Sequence, residues 1–181
     1  MSGEVRRAVF LDRDGVLNRP IVRSGKPYPP AALEEFEILP DAPEGVERLR
    51  QLGFWLFVVT NQPDVARGTQ RRSTVEAMHN KLRDALQLNY FYVCYHDDGD
   101  ACDCRKPKPG LLLSAAAEHN ISLSESYMIG DRWRDIDCGH AAACRTIFID
   151  RGYAEKLRTQ PEFRVADFRS AAGVIYAQEG V

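Results

Sequence analysis

The sequence is short of every feature that would commit it to a membrane or a polyanion. No apolar stretch approaches the roughly 20 residues needed to span a bilayer, and the opening MSGEVRRAVF lacks the long apolar region of a signal peptide. Net charge is only -2, from 24 basic and 26 acidic residues, so electrostatics give no reason to expect nucleic acid or an anionic membrane as partner. A cytoplasmic protein is expected. Cysteine is scarce as well: five residues in a reducing compartment make a poor disulfide framework, and a cluster among them points first to metal binding or catalysis. Three do cluster, at Cys94, Cys102 and Cys104. The chain shows no internal repeat, low-complexity tract or interdomain linker. At 181 residues and 44% hydrophobic it has the material for one well-filled domain over 1–181. The helices leave no apolar stripe over, so a monomer is expected.

What the chain does have is alternation. Apolar, β-rich runs at 8–11, 54–60, 90–95, 126–130 and 145–150 are separated by helix-like segments. The segment 41–53 has Asp41 placed as N-cap, Pro43 in the first turn, Val46 and Leu49 inward, and Gly53 as stop. In 71–88, Val75, Met78, Leu82 and Leu86 recur at helical steps as a core-facing stripe. Crossovers at 108–120 and 132–144 complete the series, and 165–178 reads as an amphipathic helix closing one edge. The pattern predicts an α/β fold, a Rossmann-like, doubly wound parallel sheet with right-handed crossovers and helices on both sides. Two segments are irregular, 19–40 and 96–108. The first is too short for a cap domain, so a capless, open mouth is expected, shaped in part by SGKPYPP (24–30).

In such sheets ligands sit beyond the carboxyl ends of the strands. Asp12 and Asp14 follow the first run, in FLDRDGVLN; Thr60, Asn61 and Gln62 end the second; Arg105, Lys106 and Lys108 come after the third; Asp131 and Asp135 follow the fourth. A lone DxD at a strand end is often a capped turn, and GDxxxD can be no more than a helix start. Their common location raises a different problem, because three or four carboxylates on one low-dielectric edge repel each other. A cation must sit among them, and an oxygen-only ligand set suits Mg²⁺. In the third connection, CYHDDGDACDCRKP brings Cys94, His96, Cys102 and Cys104 together. Three thiolates and an imidazole match a closed tetrahedral Zn²⁺ site, which would stiffen the loop carrying Arg105 and Lys106.

FLDRDGVLN, VVTNQ, CDCRKPKPG and MIGDRWRDID, in that order, resemble the four motifs of the haloacid dehalogenase superfamily of phosphohydrolases. Asp14 resembles the second acid of the phosphatase branch. The resemblance covers 8 to about 150 and implies that Asp12 attacks phosphorus to form an aspartyl phosphate. It further implies that Asp14 serves as acid and then base, that Lys106 and Thr60 meet the phosphoryl oxygens, and that Mg²⁺ is held by Asp12, the Asp14 carbonyl and Asp131, with Asp135 behind. Between the two lysines, Lys106 fits the RKP pattern, and Lys108 reads as a solvated helix-start residue. The zinc loop followed by RKP resembles the D-glycero-D-manno-heptose-1,7-bisphosphate 7-phosphatases of nucleotide-activated heptose biosynthesis, which can serve lipopolysaccharide, and their histidinol-phosphate phosphatase relatives.

A small phosphorylated sugar is thus the expected substrate. Asn61, Gln62, Arg67, Arg105 and Arg132 are expected at it, the arginines on a second phosphate. Pro63-Asp64 stands where the heptose enzymes more typically carry Ser-Gly. Asp64 and Asp97 keep an amine-bearing substrate such as histidinol phosphate open. A non-catalytic, zinc-stiffened phospho-ligand module is the alternative of another class, but it predicts loss of at least one of Asp12, Asp14, Lys106 and Asp131, and all are present. Transfer to a sugar acceptor, as in mutases, would need a cap to exclude water. His79, His119 and His140 are expected at the surface or its boundary, Cys138 and Cys144 in the core, and Trp55 and Trp133 in packing, with Trp133 near the mouth.

Overall fold

The structure is a computed structural model, and it describes residues 5–180; residues 1–4 and 181, part of the expected single domain, lie outside the described residues. In chain order the elements are β1 (Ala8–Leu11), the short strands β2 (Ile21–Arg23) and β3 (Lys26–Tyr28), α1 (Ala42–Gln51), β4 (Trp55–Asn61), α2 (Arg72–Leu86) and β5 (Tyr90–Cys94). They continue with α3 (Gly110–His119), β6 (Tyr127–Gly130), α4 (Trp133–Ala141), β7 (Arg145–Ile149), β8 (Phe163–Val165) and α5 (Phe168–Gln178). Six strands form one parallel sheet in the order β5-β4-β1-β6-β7-β8, while β2 and β3 pair as a separate antiparallel hairpin. No helix among the described residues is long and apolar enough to cross a membrane.

The chain moves outward from β1 through β4 to β5, then returns to the other side of β1 at β6, so the order reverses between β1 and β6. That reversal opens a crevice at the carboxyl ends of these two strands. Strand alternation supplies a core to each face. Val9, Leu11, Leu56, Val58, Tyr127 and Ile129 point to one side, where α1, α2 and α5 cover them; Ala8, Phe10, Phe57, Val59 and Met128 point to the other, under α3 and α4. The stripe Val75, Met78, Leu82 and Leu86 is buried as its spacing predicts.

The structure departs from expectation at both ends of the pattern. The helix expected over 165–178 begins only at Phe168, Val165 ending instead an edge strand paired with β7, and α5 packs chiefly against α1. Gly45 allows that approach, since a Cβ there would lie 2.7 Å from the Phe168 ring. Asp41 sits at the N-cap position of α1 without capping it. Its carboxylate instead accepts from the backbone N–H of Phe168 at 2.9 Å and of Arg169 at 3.2 Å, at the start of α5, tying the two helices together.

Candidate active site

The apolar run of β1 ends by delivering Asp12 to a spot only 8% exposed. Its Oδ1 accepts from the Arg13 N–H at 2.8 Å and pairs with Lys106 Nζ at 2.8 Å. Lys106, 2% exposed, also donates to Asp135 Oδ1 at 2.6 Å and to the carbonyl of Val59 at 2.9 Å. Burial pushes the Asp12 carboxyl up to about 6, with Asp135 and Asp14 adding to the rise and Lys106 opposing it. Burial disfavours the charged ammonium of Lys106 as well, but Asp12 and Asp135 outweigh it and raise its pKa. Lys108, by contrast, has a half-exposed side chain bonded to the Cys102 carbonyl and Asp103, outside the site.

Asp131 follows β6 and faces Asp12 across the crevice. Gly15 makes this possible: its φ is +86°, and a Cβ on it would fall 1.7 Å from Asp131 Oδ2. Tyr153 donates to that Oδ2 at 2.6 Å, but Asp131 Oδ1 is buried with no hydrogen-bond partner among the described residues. Burial, then the charges of Asp12 and Asp135, raise the Asp131 carboxyl well above the usual range. Asp12, Asp131 and Asp135 each place an oxygen within 4.8 Å of the others. An orphaned acceptor among three buried carboxylates fits a hard divalent cation, which would turn the mutual repulsion into attraction.

Asp14 meets the opposite fate. Arg13 grips it through Nε at 3.2 Å and NH2 at 2.9 and 3.0 Å, and Asn18 Nδ2 and Gln62 Nε2 each donate at 3.0 Å. Burial would raise this carboxyl, but the Arg13 charge and the hydrogen bonds from Asn18, Arg13 and Gln62 prevail and lower it. Arg13 and Asn18 are additions to the expected site: Arg13, set between two aspartates just past an apolar run, is 0% exposed, and a buried guanidinium needs the counter-charge that Asp14 gives it.

Of the two amides expected at the substrate, Asn61 lines the cleft and Gln62 is buried. Asn61 is clamped to the Lys106 backbone, donating to its carbonyl at 3.0 Å and accepting from its N–H at 3.1 Å. Gln62 is 2% exposed and bridges Asp14 to Thr60 Oγ1, which accepts from it at 2.9 Å. Thr60 lines the cleft with its own O–H still to donate. His79 is also placed differently: it is buried on α2, not at the surface. Burial and the Arg13 charge lower its imidazole to about 4, against the pull of Glu76 and Asp14.

The connection after β5 brings Cys94, His96, Cys102 and Cys104 into one cluster. Cys94 Sγ lies 3.1 Å from Cys104 Sγ, 3.9 Å from Cys102 Sγ and 3.7 Å from His96 Nδ1; His96 Nδ1 lies 3.2 Å from Cys104 Sγ. A tetrahedral ion with bonds of about 2.0–2.3 Å needs ligand separations of roughly 3.3–3.8 Å. The donor set fits such an ion, and no disulfide is formed among these cysteines. Arg105, next to Cys104, donates to the His96 carbonyl at 3.3 Å, coupling the cluster to the residue before Lys106.

Above these groups opens a cleft of about 290 Å³, rimmed by Lys26, Pro27, Tyr28 and Pro29 from the hairpin and by Arg67, Arg105, Arg132 and Arg134. All three expected arginines are there, each already facing a carboxylate. Arg67 pairs with Asp97 and Asp64, Arg105 with Asp98 at 2.8 Å, and Arg132 with Glu155. Arg134 and Lys26 were not anticipated. Arg134 also pairs with Asp98, at 3.2 Å. Trp133 lies beside Asp131 and Tyr153 on the far side of Arg132, with Arg158 stacked over its ring at 3.4 Å.

A doubly wound sheet whose switch point gathers an acidic metal site, a buried lysine and a strand-end threonine defines a phosphohydrolase of the haloacid dehalogenase class. The HAD-hydrolase-like family model matches residues 103–171. The D-glycero-beta-D-manno-heptose-1,7-bisphosphate 7-phosphatase of Pseudomonas aeruginosa is 32% identical over 161 residues, covering 86% of this chain and 88% of that protein. That of Escherichia coli K12 is 37% identical over 156 residues, covering 80% and 78%. Among solved structures, the D,D-heptose 1,7-bisphosphate phosphatase of B. bronchiseptica, complexed with magnesium and phosphate, superposes with a TM-score of 0.82 at 27% identity, covering 95% of this chain and 99% of that one. The chain belongs to the family of heptose-1,7-bisphosphate 7-phosphatases.

Proposed function

We propose that this protein is a Mg²⁺-dependent phosphomonoesterase that removes the 7-phosphate of D-glycero-D-manno-heptose 1,7-bisphosphate. The observation that carries the reading is the pairing of buried Asp12 with Lys106 beside the orphaned oxygen of Asp131, under a rim of arginines. Asp12, the Asp14 carbonyl and Asp131 would hold Mg²⁺, with Asp135 in support. When bound, the ion supplies positive charge against the phosphoryl oxygens. Asp12 forms an O–P bond as the bond from phosphorus to the sugar oxygen breaks, giving an aspartyl phosphate. Lys106 holds Asp12 in line and offsets charge on the transferring group, and Thr60 donates its free O–H to a phosphoryl oxygen. Asp14 delivers a proton to the departing sugar oxygen, then takes one from the water that cleaves the acyl phosphate. Its carboxyl is held low in the empty cleft, and the approaching phosphate is the like charge that lifts it toward an acid's range.

The rim favours a second phosphate. Arg67, Arg105 and Arg132, with Arg134, stand where the distal end of a bisphosphate would reach, and an anion can exchange for the carboxylates now facing them. An amine-bearing substrate is less well served, since Asp64 and Asp97 are taken by Arg67. The cysteine and histidine cluster would hold Zn²⁺, whose four fixed bonds brace the loop under Arg105 and Lys106.

The test is phosphate release with Mg²⁺ from both anomers of heptose 1,7-bisphosphate, beside histidinol phosphate and fructose 1,6-bisphosphate, with Asp12→Asn as control. One heptose anomer is expected to lead in kcat/KM by about a hundredfold, roughly 2.7 kcal/mol of discrimination. A lead by histidinol phosphate would overturn the substrate while leaving the chemistry standing.

A further inference from the structure

Arg13 uses its guanidinium in two directions. Nε and NH2 grip Asp14, as described, and NH1 points away from the cleft to Nε2 of His79 on α2, at 3.3 Å. A guanidinium N–H can only donate, so this contact requires a lone pair on Nε2 and places the ring proton on Nδ1. The histidine is 1% exposed, with its ring over Phe91 at a centroid distance of 5.1 Å, and the guanidinium carbon lies 5.6 Å from the Phe36 ring. Four charged groups face the imidazole: Arg13 and Asp14 from the end of β1, and Glu76 and Arg83 from α2 itself. Glu76 stands 3.8 Å from Nδ1, too far for a hydrogen bond, and Nδ1 has no partner. Among the described residues, the imidazole's only hydrogen-bonded task is therefore the arginine.

We propose that His79 is a positioning residue for Asp14, fixing Arg13 so that its Nε and NH2 edge holds the carboxylate toward the cleft. Arginine has four side-chain torsions, and its grip on Asp14 leaves NH1 to be anchored. With His79 as acceptor the guanidinium plane is held at both ends; without it, NH1 is a buried donor that must turn to find another partner, and Asp14 turns with it. The inference rests on Asp14 acting as the acid toward the leaving oxygen.

That dependence supplies the test. An alkoxide needs a proton to leave, whereas a nitrophenolate does not, so loss of a well-placed acid weighs on sugar phosphates and hardly on aryl phosphates. kcat/KM, which reports the first half-reaction, is measured on a sugar phosphate and on 4-nitrophenyl phosphate at saturating Mg²⁺. The variants are His79→Phe, which keeps the stacking ring, His79→Gln, whose amide oxygen can accept from Arg13, and Asp14→Asn. His79→Phe is expected to lose about 10–30-fold on the sugar phosphate and under about 3-fold on the aryl phosphate, and His79→Gln to restore the sugar phosphate to within about 3-fold of wild type. Equal losses on both substrates, or none, while Asp14→Asn discriminates, would overturn the role of His79. If Asp14→Asn does not discriminate, the acid itself is misassigned and the inference goes with it. Should His79→Phe fail to fold, His79→Leu, which is smaller and likewise offers Arg13 no acceptor, takes its place with the same expected selectivity.

Discussion

Asp12 and Asp14 are two residues apart and titrate in opposite directions, because one is buried beside other acids and the other beside a guanidinium. In the metal-free protein the carboxyl of Asp12 is raised from 3.8 to about 6, so its contribution to stability is complete below about 3.8 and lost as pH rises through 6. Mg²⁺ binds the ionised carboxylates and must displace those protons. Its stabilising effect is therefore expected to be larger at pH 7.5 than at pH 5, at roughly 2–4 °C of Tm per kcal/mol for a chain of this size. Thermal melts with Mg²⁺ and with chelator at the two pH values check this, and equal increments would mean that these carboxyls are not the metal's ligands. Lys106 is the internal cation of the same cluster. Lys106→Met leaves Asp12 and Asp135 buried without it, and is expected to destabilise the metal-free protein by about 3–5 kcal/mol at pH 7.5. The loss should shrink at pH 5 as Asp12 takes up a proton. Urea titrations at both pH values measure it, and a loss independent of pH would point to packing alone.

At the scale of elements, two ties outside the sheet hold the fold, and only the first bears on the site. The first is the loop after β5, which the cluster of Cys94, His96, Cys102 and Cys104 gathers beside Lys106. Cys104→Ser is expected to release bound Zn²⁺, read by metal analysis, and to lower kcat/KM by about 10–100-fold while the helical signal persists. Zinc retained in full by the variant would remove Cys104 from the ligand set. The second is Asp41, which joins α1 to α5 far from the chemistry. Asp41→Ala should lower stability by about 1 kcal/mol in urea with kcat unchanged. These two ties differ in how well the chain announces them. Three thiols and an imidazole between Cys94 and Cys104 are legible because so many ligand-type side chains in one short connection match a metal's donor set. Asp41 looks like the cap of its own helix, and only the tertiary contact shows that it serves another. The strand ends are legible as well, since Asp12, Thr60 and Asp131 are polar residue types closing apolar runs. β8 is three residues, the middle one exposed, made a strand only by pairing with β7, and local pattern cannot reveal it. His79 was within reach: it is four residues after Val75 and three before Leu82, on the buried stripe, where a neutral imidazole needs a partner.

Taken as a whole, the molecule is close to neutral, and so is its cleft. Lys26, Arg67, Arg105, Lys106, Arg132 and Arg134 line it against Asp12, Asp14, Asp64, Asp98, Asp135 and Glu155, with Asp131 just behind. The acids outnumber the bases by one, and each rim arginine already faces a carboxylate. A phosphate group entering the metal-free cleft would meet no net attraction at its floor, where Asp12 and Asp131 stand. A divalent cation there reverses the balance by two charges, about what one phosphate dianion carries. The order of assembly follows from that count: metal first, then phosphate. Inorganic phosphate titrated calorimetrically into the Mg²⁺-loaded protein is expected to bind at least about 10-fold more tightly than into the chelated protein, a difference of about 1.4 kcal/mol or more. Raised ionic strength should weaken the loaded complex only modestly, because the charges that hold the anion lie in a partly buried cleft where screening is small. If phosphate binds equally well to the chelated protein, the rim arginines rather than the floor would be the anchoring site, and the metal would act on the bound group without recruiting it.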